Sequence, residues 1–376
     1  MSENKKTAPT VPTAIGTEQP LQMDCTNSIT ENSADFNSLE DNYELIMKRM
    51  FDPTYLPTIS MTELYNNIYD RKQPLIDGLL YAGVYLFVGA PKVGKSFFIL
   101  QLAYHVSTGT NLWNYHVRKG TVLYLALEDD YRRLQERLYR MFGTENTPNL
   151  HFSVTANYLG KGLNEQLQGF ISEHPDTSLI IIDTLQKVRE VGGESFSYAS
   201  DYEIITQLKQ FADNCKICLL LVHHTRKQKS DDTFDMISGT NGMLGAADGA
   251  FLLHKERRTS NKATLEISGR DQQDQKITLV RNENKLSWDF DNAETELWKE
   301  PPDPILEAIA NLVTSDNPEW SGTATDLAQQ LGTDLKPNVL TLKLNVTAGR
   351  LLNDYGIIYG NTRTHNGRNV TLKLKA

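Results

Sequence analysis

The sequence is poor in cysteine, has no long apolar run and carries no excess of positive charge. Only three cysteines occur in 376 residues. Cys215 and Cys218 stand at the edge of the apolar run 217–222, without a second pair or histidines at zinc spacing. They are therefore read as buried strand residues rather than metal ligands. No apolar run approaches the roughly 18 residues of a membrane helix, and the opening MSENKKTAPT lacks a secretory apolar stretch. The expectation is a cytoplasmic protein with no membrane contact. A formal net charge of -9 gives no global attraction to nucleic acid, so any DNA contact must rest on local basic patches.

What is present is ordinary for a soluble globular chain, 39% hydrophobic and 23% charged. The length suits one large core and a smaller second domain. Residues 1–40 are rich in Thr, Asn, Ser, Glu and Pro and read as a disordered tail that cannot offset its ordering entropy. Residues 41–72 show helical spacing (Leu45, Ile46, Met50; Leu64, Tyr65, Ile68) and read as a helical N-terminal adaptor.

From residue 73 to 299, short apolar runs (84–88, 122–127, 179–182, 217–222) alternate with amphipathic ones (97–106, 134–142, 163–171, 204–212). That alternation predicts an α/β fold with a mostly parallel sheet flanked by helices. After Asp248 the strand-like runs 249–254, 263–268, 276–281 and 285–290 follow one another and predict antiparallel hairpins extending the sheet. Glu300-Pro301-Pro302-Asp303-Pro304 marks a boundary. Residues 300–376 then read as three helices (305–313, 323–331, 339–355) and two strands (356–360, 369–374), the order of a small C-terminal winged-helix domain.

Gly89-Ala90-Pro91-Lys92-Val93-Gly94-Lys95-Ser96 fits G-x-x-x-x-G-K-[ST] between an expected strand and an expected helix. The backbone N–H groups of such a loop converge on the β-phosphate, Lys95 reaches the β and γ phosphates, and Ser96 ligates Mg²⁺. The nucleotide-contacting run is taken through Phe97. Leu179-Ile180-Ile181-Ile182-Asp183 is an apolar strand ending in a carboxylate that suits the same magnesium, with Thr184 as a hydrogen-bonding neighbour. Glu128, just beyond the strand 122–127, is the candidate base that polarises the attacking water. The alternative for Glu128 and Asp129 is capping of the following helix, which is preferred for Asp129. His224, rather than His223, is the candidate γ-phosphate sensor at the end of the run 217–222. Stacking of Tyr131 or Arg132 on the base is weighed against a helix-surface role, which is preferred for each.

A guanine-reading Asn-Lys-x-Asp motif is missing, as is an arginine-rich lid after the P-loop, which argues against GTPases and small-molecule kinases. Asp183 is followed by Thr184-Leu185 rather than by acids, unlike most AAA+ loaders.

Together with Val222-His223-His224-Thr225, Ser238-Gly239-Thr240-Asn241-Gly242-Met243, Ala247-Asp248 and Ser268-Gly269-Arg270-Asp271, these motifs resemble the RecA-like hexameric ATPases of the RepA plasmid-helicase type, a branch related to DnaB-like helicases and KaiC. The resemblance covers about residues 72–290. It implies a ring, a hexamer in the family, with Arg270 completing the neighbouring subunit's site; Arg257, Arg258 and Arg281 are nearby alternatives. It also implies that the loops after Asp183 (Lys187, Arg189) and after His224 (Arg226, Lys227, Lys229) grip single-stranded DNA. The family needs no winged-helix tail, so duplex contact through Arg363 and Arg368, with Lys373, Lys375 and His365 nearby and Lys336 and Lys343 flanking the third helix, is weighed against protein contact or ring assembly. A primase or initiator at the N-terminal adaptor is a further partner to test.

The expected function is an ATP-driven DNA motor, a ring-forming replicative helicase of a plasmid or mobile element. The rivals are an ATP-dependent DNA-binding or loading protein that separates no strands, and a nucleotide-switched winged-helix DNA-binding regulator.

Overall fold

The computed structural model describes residues 52–69, 73–189, 198–225, 234, 241–270, 272–295, 301–364 and 367–375. The chain divides into two compact units, one ending at Leu64 and the other starting at Tyr65. The helical spacing expected over 41–72 gives a single helix among the described residues, α1 (Met61–Asn66), none of it buried. Pro53 and Pro57 occupy the stretch before it, and Ser60 starts it. The Ser60 backbone N–H donates to Glu63 Oε2 at 2.9 Å and the Glu63 N–H to Ser60 Oγ at 3.2 Å, a reciprocal cap.

After the hairpin β1 (Pro74–Ile76) and β2 (Leu80–Tyr81), the second unit alternates strands with helices. The order is β3 (Gly83–Gly89), α2 (Lys95–Thr108), β4 (Thr121–Ala126), α3 (Tyr131–Phe142), β5 (Leu150–Ser153), α4 (Leu163–Glu173), β6 (Thr177–Asp183), α5 (Leu185–Val188), α6 (Tyr198–Cys215) and β7 (Cys218–His224). Then come α7 (Asn241–Ala246), β8 (Gly249–His254), β9 (Lys262–Gly269), β10 (Gln272–Arg281) and β11 (Trp288–Ala293). The sheet runs β11-β10-β9-β8-β3-β7-β6-β4-β5. From β8 to β5 all neighbours are parallel, and from β8 to β11 they are antiparallel. This is the α/β, RecA-like architecture expected: a mostly parallel sheet extended by antiparallel hairpins.

The central parallel strands are largely apolar because both faces are covered, and the two-residue period sorts their side chains. Tyr85, Phe87, Tyr124 and Ile181 face one core, closed by Phe98, Leu102 and Val106 of α2 and Leu134 of α3. Val84, Leu86, Leu123 and Ile180 face the other, closed by Leu167 of α4, Ile205 and Leu208 of α6 and Met243 of α7. Cys218 is a buried strand residue as expected, whereas Cys215 ends α6 and is only half-buried.

The C-terminal residues have their own core, built from Leu306, Leu327, Leu340, Leu344, Val370 and Leu372 among others. The order is α8 (Pro304–Leu312), β12 (Glu319–Thr323), α9 (Ala324–Gln330), α10 (Pro337–Tyr355), β13 (Ile357–Thr364) and β14 (Gly367–Leu374), with the strands arranged β12-β14-β13. β5 and β12 go beyond the expected elements. Leu150–Ser153 is short and only half-buried, and Glu319–Thr323 alternates no large apolar residues.

Candidate functional site

The carboxyl ends of β3, β4, β6 and β7 lie side by side, where ligands bind in open parallel sheets. β3 delivers the P-loop. Gly89 needs its bare Cα because a Cβ would stand 2.5 Å from the Leu253 carbonyl of β8. Gly94 has φ +108°, and a Cβ there would meet the Trp288 ring at 2.8 Å. Lys92 is also left-handed, at φ 65°, while Ala90, Pro91 and Lys92 are exposed and Val93 is buried beneath them.

Lys95, the first residue of α2, is 7% exposed and folds back to donate to the carbonyls of Gly89 at 2.7 Å and Ala90 at 3.2 Å. Burial pushes its ammonium down to about 8, against the opposing pull of Asp183 and Glu128. Nδ1 of His224 lies 3.2 Å from Lys95 Nζ. Burial and then the Lys95 charge hold that imidazole below its usual value, so it meets the ammonium as a neutral acceptor. His223 points into the interior, 5% exposed.

Ser96 Oγ donates to Asp183 Oδ2 at 3.2 Å, and the buried Tyr124 hydroxyl donates to the same oxygen at 2.8 Å. Burial raises the Asp183 carboxyl above its ordinary value, partly countered by those two donors. Glu128 is exposed above this group, and its Oε1 accepts from Thr184 Oγ1 at 3.3 Å. The structure thus brings Lys95, Ser96, Glu128, Asp183 and His224 together. Helix capping falls not to Asp129 but to Asp130, which accepts from the Arg133 N–H at 2.9 Å; Asp129 pairs instead with Arg137 at 2.7 Å.

Sequence reasoning missed the wall beside the loop. The Arg281 guanidinium lies 4.3 Å from the centre of the Phe97 ring and 5.0 Å from that of Trp288, and Arg137 approaches Phe97 from 5.0 Å. Burial pushes Arg281 down to about 10, and its Nη1 has no hydrogen-bond partner among the described residues. Trp288 Nε1 donates to the Gly94 carbonyl at 3.2 Å, while Gln101 of α2 bonds both the Trp288 N–H at 2.8 Å and its carbonyl at 3.0 Å. The only advance signal was Phe97 directly after the motif. Tyr131 and Arg132 lie on the α3 surface, Arg132 paired with Glu136 at 2.9 Å.

Arg270 follows β9 at the far end of the sheet. Its N–H donates to the Asp248 carbonyl at 2.8 Å and its side chain to the Gly245 carbonyl of α7. Gly269 is level with Gly249, Gly249 with Tyr85, and Gly89 lies four strand residues further on, about 13 Å. Arg257 and Arg258, exposed after β8, and Arg281 are at the P-loop end.

Two residues expected to contact DNA have partners within the fold. Arg189 is 7% exposed and ion-paired with the fully buried Asp201 of α6, and Arg368 donates to Asn66 and, at 3.2 Å, to Thr341. The Arg189 guanidinium serves internal packing because Asp201 neutralises it, whereas Arg368 is half-buried and, among the described residues, bonded only to neutral groups. Lys187 is exposed. Arg226, Lys227, Lys229 and the Arg363 side chain lie outside the described residues.

Residues 52–230 match the family described as "AAA domain". Among solved structures the chain is similar to one described as an ATPase domain, with 16% identity over 70% of this chain and 100% of that one, at a TM-score of 0.47. It is also similar to a DnaB-like replicative helicase whose structure was reported with its interactions with primase, with 16% identity over 69% of this chain and 67% of that one, at a TM-score of 0.46. No curated protein matches the sequence. With the phosphate loop, the gathered acids and the AAA-domain match, the chain is a P-loop ATPase. No described helix is long and apolar enough to cross a membrane.

Proposed function

We propose that this chain is an ATP-driven DNA motor, a ring-forming replicative helicase, with residues 73–299 as the ATPase domain and 300–376 as a winged-helix domain. The observation that carries the ATP site is Lys95, a desolvated cation turned onto the carbonyls of its own loop. The hydroxyl of Ser96 and the carboxylate of Asp183, 3.2 Å apart at the mouth of the loop, are the hard oxygen donors that suit Mg²⁺. Magnesium bound there would neutralise charge on the phosphates. Lys95 then releases the Gly89 carbonyl for the phosphates, Glu128 orients a water, and His224, in contact with Lys95, reports the γ-phosphate to the loop that follows β7. The unpartnered face of Arg281, with Phe97 and Arg137, offers a cationic and aromatic wall to the base or ribose.

Arg270 stands too far from its own P-loop to serve it, which favours action in a neighbouring subunit's site. Lys187 and the loop after His224 are the proposed grip on single-stranded DNA. Plasmid or mobile-element origin and a primase or initiator partner rest on the family resemblance alone.

A second reading of the C-terminal domain is favoured by one observation. The outward face of α10, which would enter a DNA groove, exposes Val339, Leu342 and Val346, while Lys343 is paired with Asp303 at 2.8 Å. Protein contact suits that face better than duplex DNA.

The test is steady-state ATP hydrolysis with and without single-stranded DNA, on wild type and Arg270→Ala, with sizing of the assembly in ATP. DNA-stimulated turnover by a ring, lost in the variant with nucleotide binding retained, is the expected result. A monomer with slow, DNA-indifferent hydrolysis would overturn the motor reading.

A further inference from the structure

We propose that Tyr124 is a positioning residue of the phosphate site, its hydroxyl fixing the carboxylate of Asp183 in the orientation that serves magnesium. The inference rests on the ATP and magnesium reading above.

The placement follows from register. β4 and β6 pair in parallel with Tyr124 opposite Ile181 and Ala126 opposite Asp183. Because side chains alternate, Tyr124 and Asp183 emerge on the same face as diagonal neighbours, within reach of a long aromatic side chain. The ring is 0% exposed and lies 5.8 Å from that of Phe152, so the hydroxyl is held by packing. It ends 2.8 Å from Asp183 Oδ2.

The two donors to Oδ2 are not equivalent. Ser96 Oγ, at 3.2 Å, belongs to the P-loop and is itself a magnesium ligand in the proposed site, so its hydroxyl is drawn away when the metal binds. Tyr124 is in the core and makes no such move. It leaves the carboxylate one fixed hydrogen bond while Oδ1 stays available. A buried carboxylate stripped of donors is both costly and free to turn, and loss of an outer partner of a metal-binding carboxylate typically costs 10–100-fold in metal affinity. A tyrosine serving the core alone would need only its ring there, and phenylalanine would do.

The experiment titrates Mg²⁺ into the full-length chain with a fluorescent N-methylanthraniloyl ATP, for wild type and Tyr124→Phe, with parallel binding in EDTA. The half-saturating Mg²⁺ concentration should rise about tenfold in Tyr124→Phe, while nucleotide affinity in EDTA stays at the wild-type value. An unchanged Mg²⁺ requirement in the variant overturns the inference and leaves the functional reading standing. A wild-type chain whose nucleotide binding ignores Mg²⁺ overturns both. A second comparison holds even if Tyr124→Phe does not fold, because Asp183→Asn removes the buried charge that would be left short of a donor. Asp183→Asn and Asp183→Asn/Tyr124→Phe should have the same Mg²⁺ dependence; a further loss in the double variant would mean that Tyr124 acts by a route other than Asp183, against the proposal.

Discussion

Lys95 stands at the floor of the P-loop with its ammonium pushed down by burial from the usual 10.5 to about 8. The fold carries the cost of that desolvated charge, and its sign can be worked out. Between about pH 8 and 10.5 the unfolded chain keeps a proton on Lys95 that the folded chain has shed, so this residue makes stability rise with pH across that window. Below it both states hold the proton and the full cost remains. Lys95→Met should therefore be more stable than wild type at pH 7 without nucleotide, with the advantage shrinking as pH rises from 8 to 10.5. Urea midpoints at the two ends measure this, and a constant difference would refute it. Glu128 is exposed beside the site rather than buried in it, so its removal should leave the pocket intact. Glu128→Gln is expected to keep nucleotide affinity and to lower the hydrolysis rate by about 10²–10⁴, the usual contribution of a positioned base. An undiminished rate would take the base role from it.

At the scale of elements, the site is held by contacts between segments far apart in sequence or on different elements. Trp288 of β11 supports Gly94, and Asp201 of α6 neutralises Arg189 in the segment after β6. Asp201→Ala would leave a guanidinium buried without its carboxylate and should cost about 3–5 kcal/mol of stability; replacing both partners by apolar residues should recover most of that in chemical denaturation. These contacts explain what the sequence could and could not disclose. The central parallel strands were legible because burial on both faces makes them apolar runs, unlike the half-buried β5, and the P-loop, Asp183, Glu128 and His224 because each directly follows or ends such a run. Nothing local marks Arg189 as a structural cation, since Asp201 reaches it from another helix. The role of Tyr124 is equally invisible, for its hydroxyl is directed by strand register. Arg281 meets Phe97 and Trp288 only once β10 and β11 are laid along the sheet.

For the whole molecule, the decisive geometry is that P-loop and Arg270 sit at opposite ends of the sheet. A chain that used Arg270 on its own nucleotide would have to span that distance; a head-to-tail ring brings one subunit's Arg270 to the next subunit's loop without distortion. The two arrangements differ in mixing experiments. Lys95→Ala subunits lack a competent P-loop and Arg270→Ala subunits lack the arginine, so each is expected to be inactive alone. If Arg270 acts across the interface, an Arg270→Ala loop facing a Lys95→Ala neighbour has both groups in place, and random one-to-one mixing should restore about a quarter of the wild-type sites. If Arg270 only ties β9 to α7 through the Gly245 carbonyl, its loss loosens each subunit from within, and mixing restores nothing. Hydrolysis measured across mixing ratios, peaking near equal proportions, would establish a shared site.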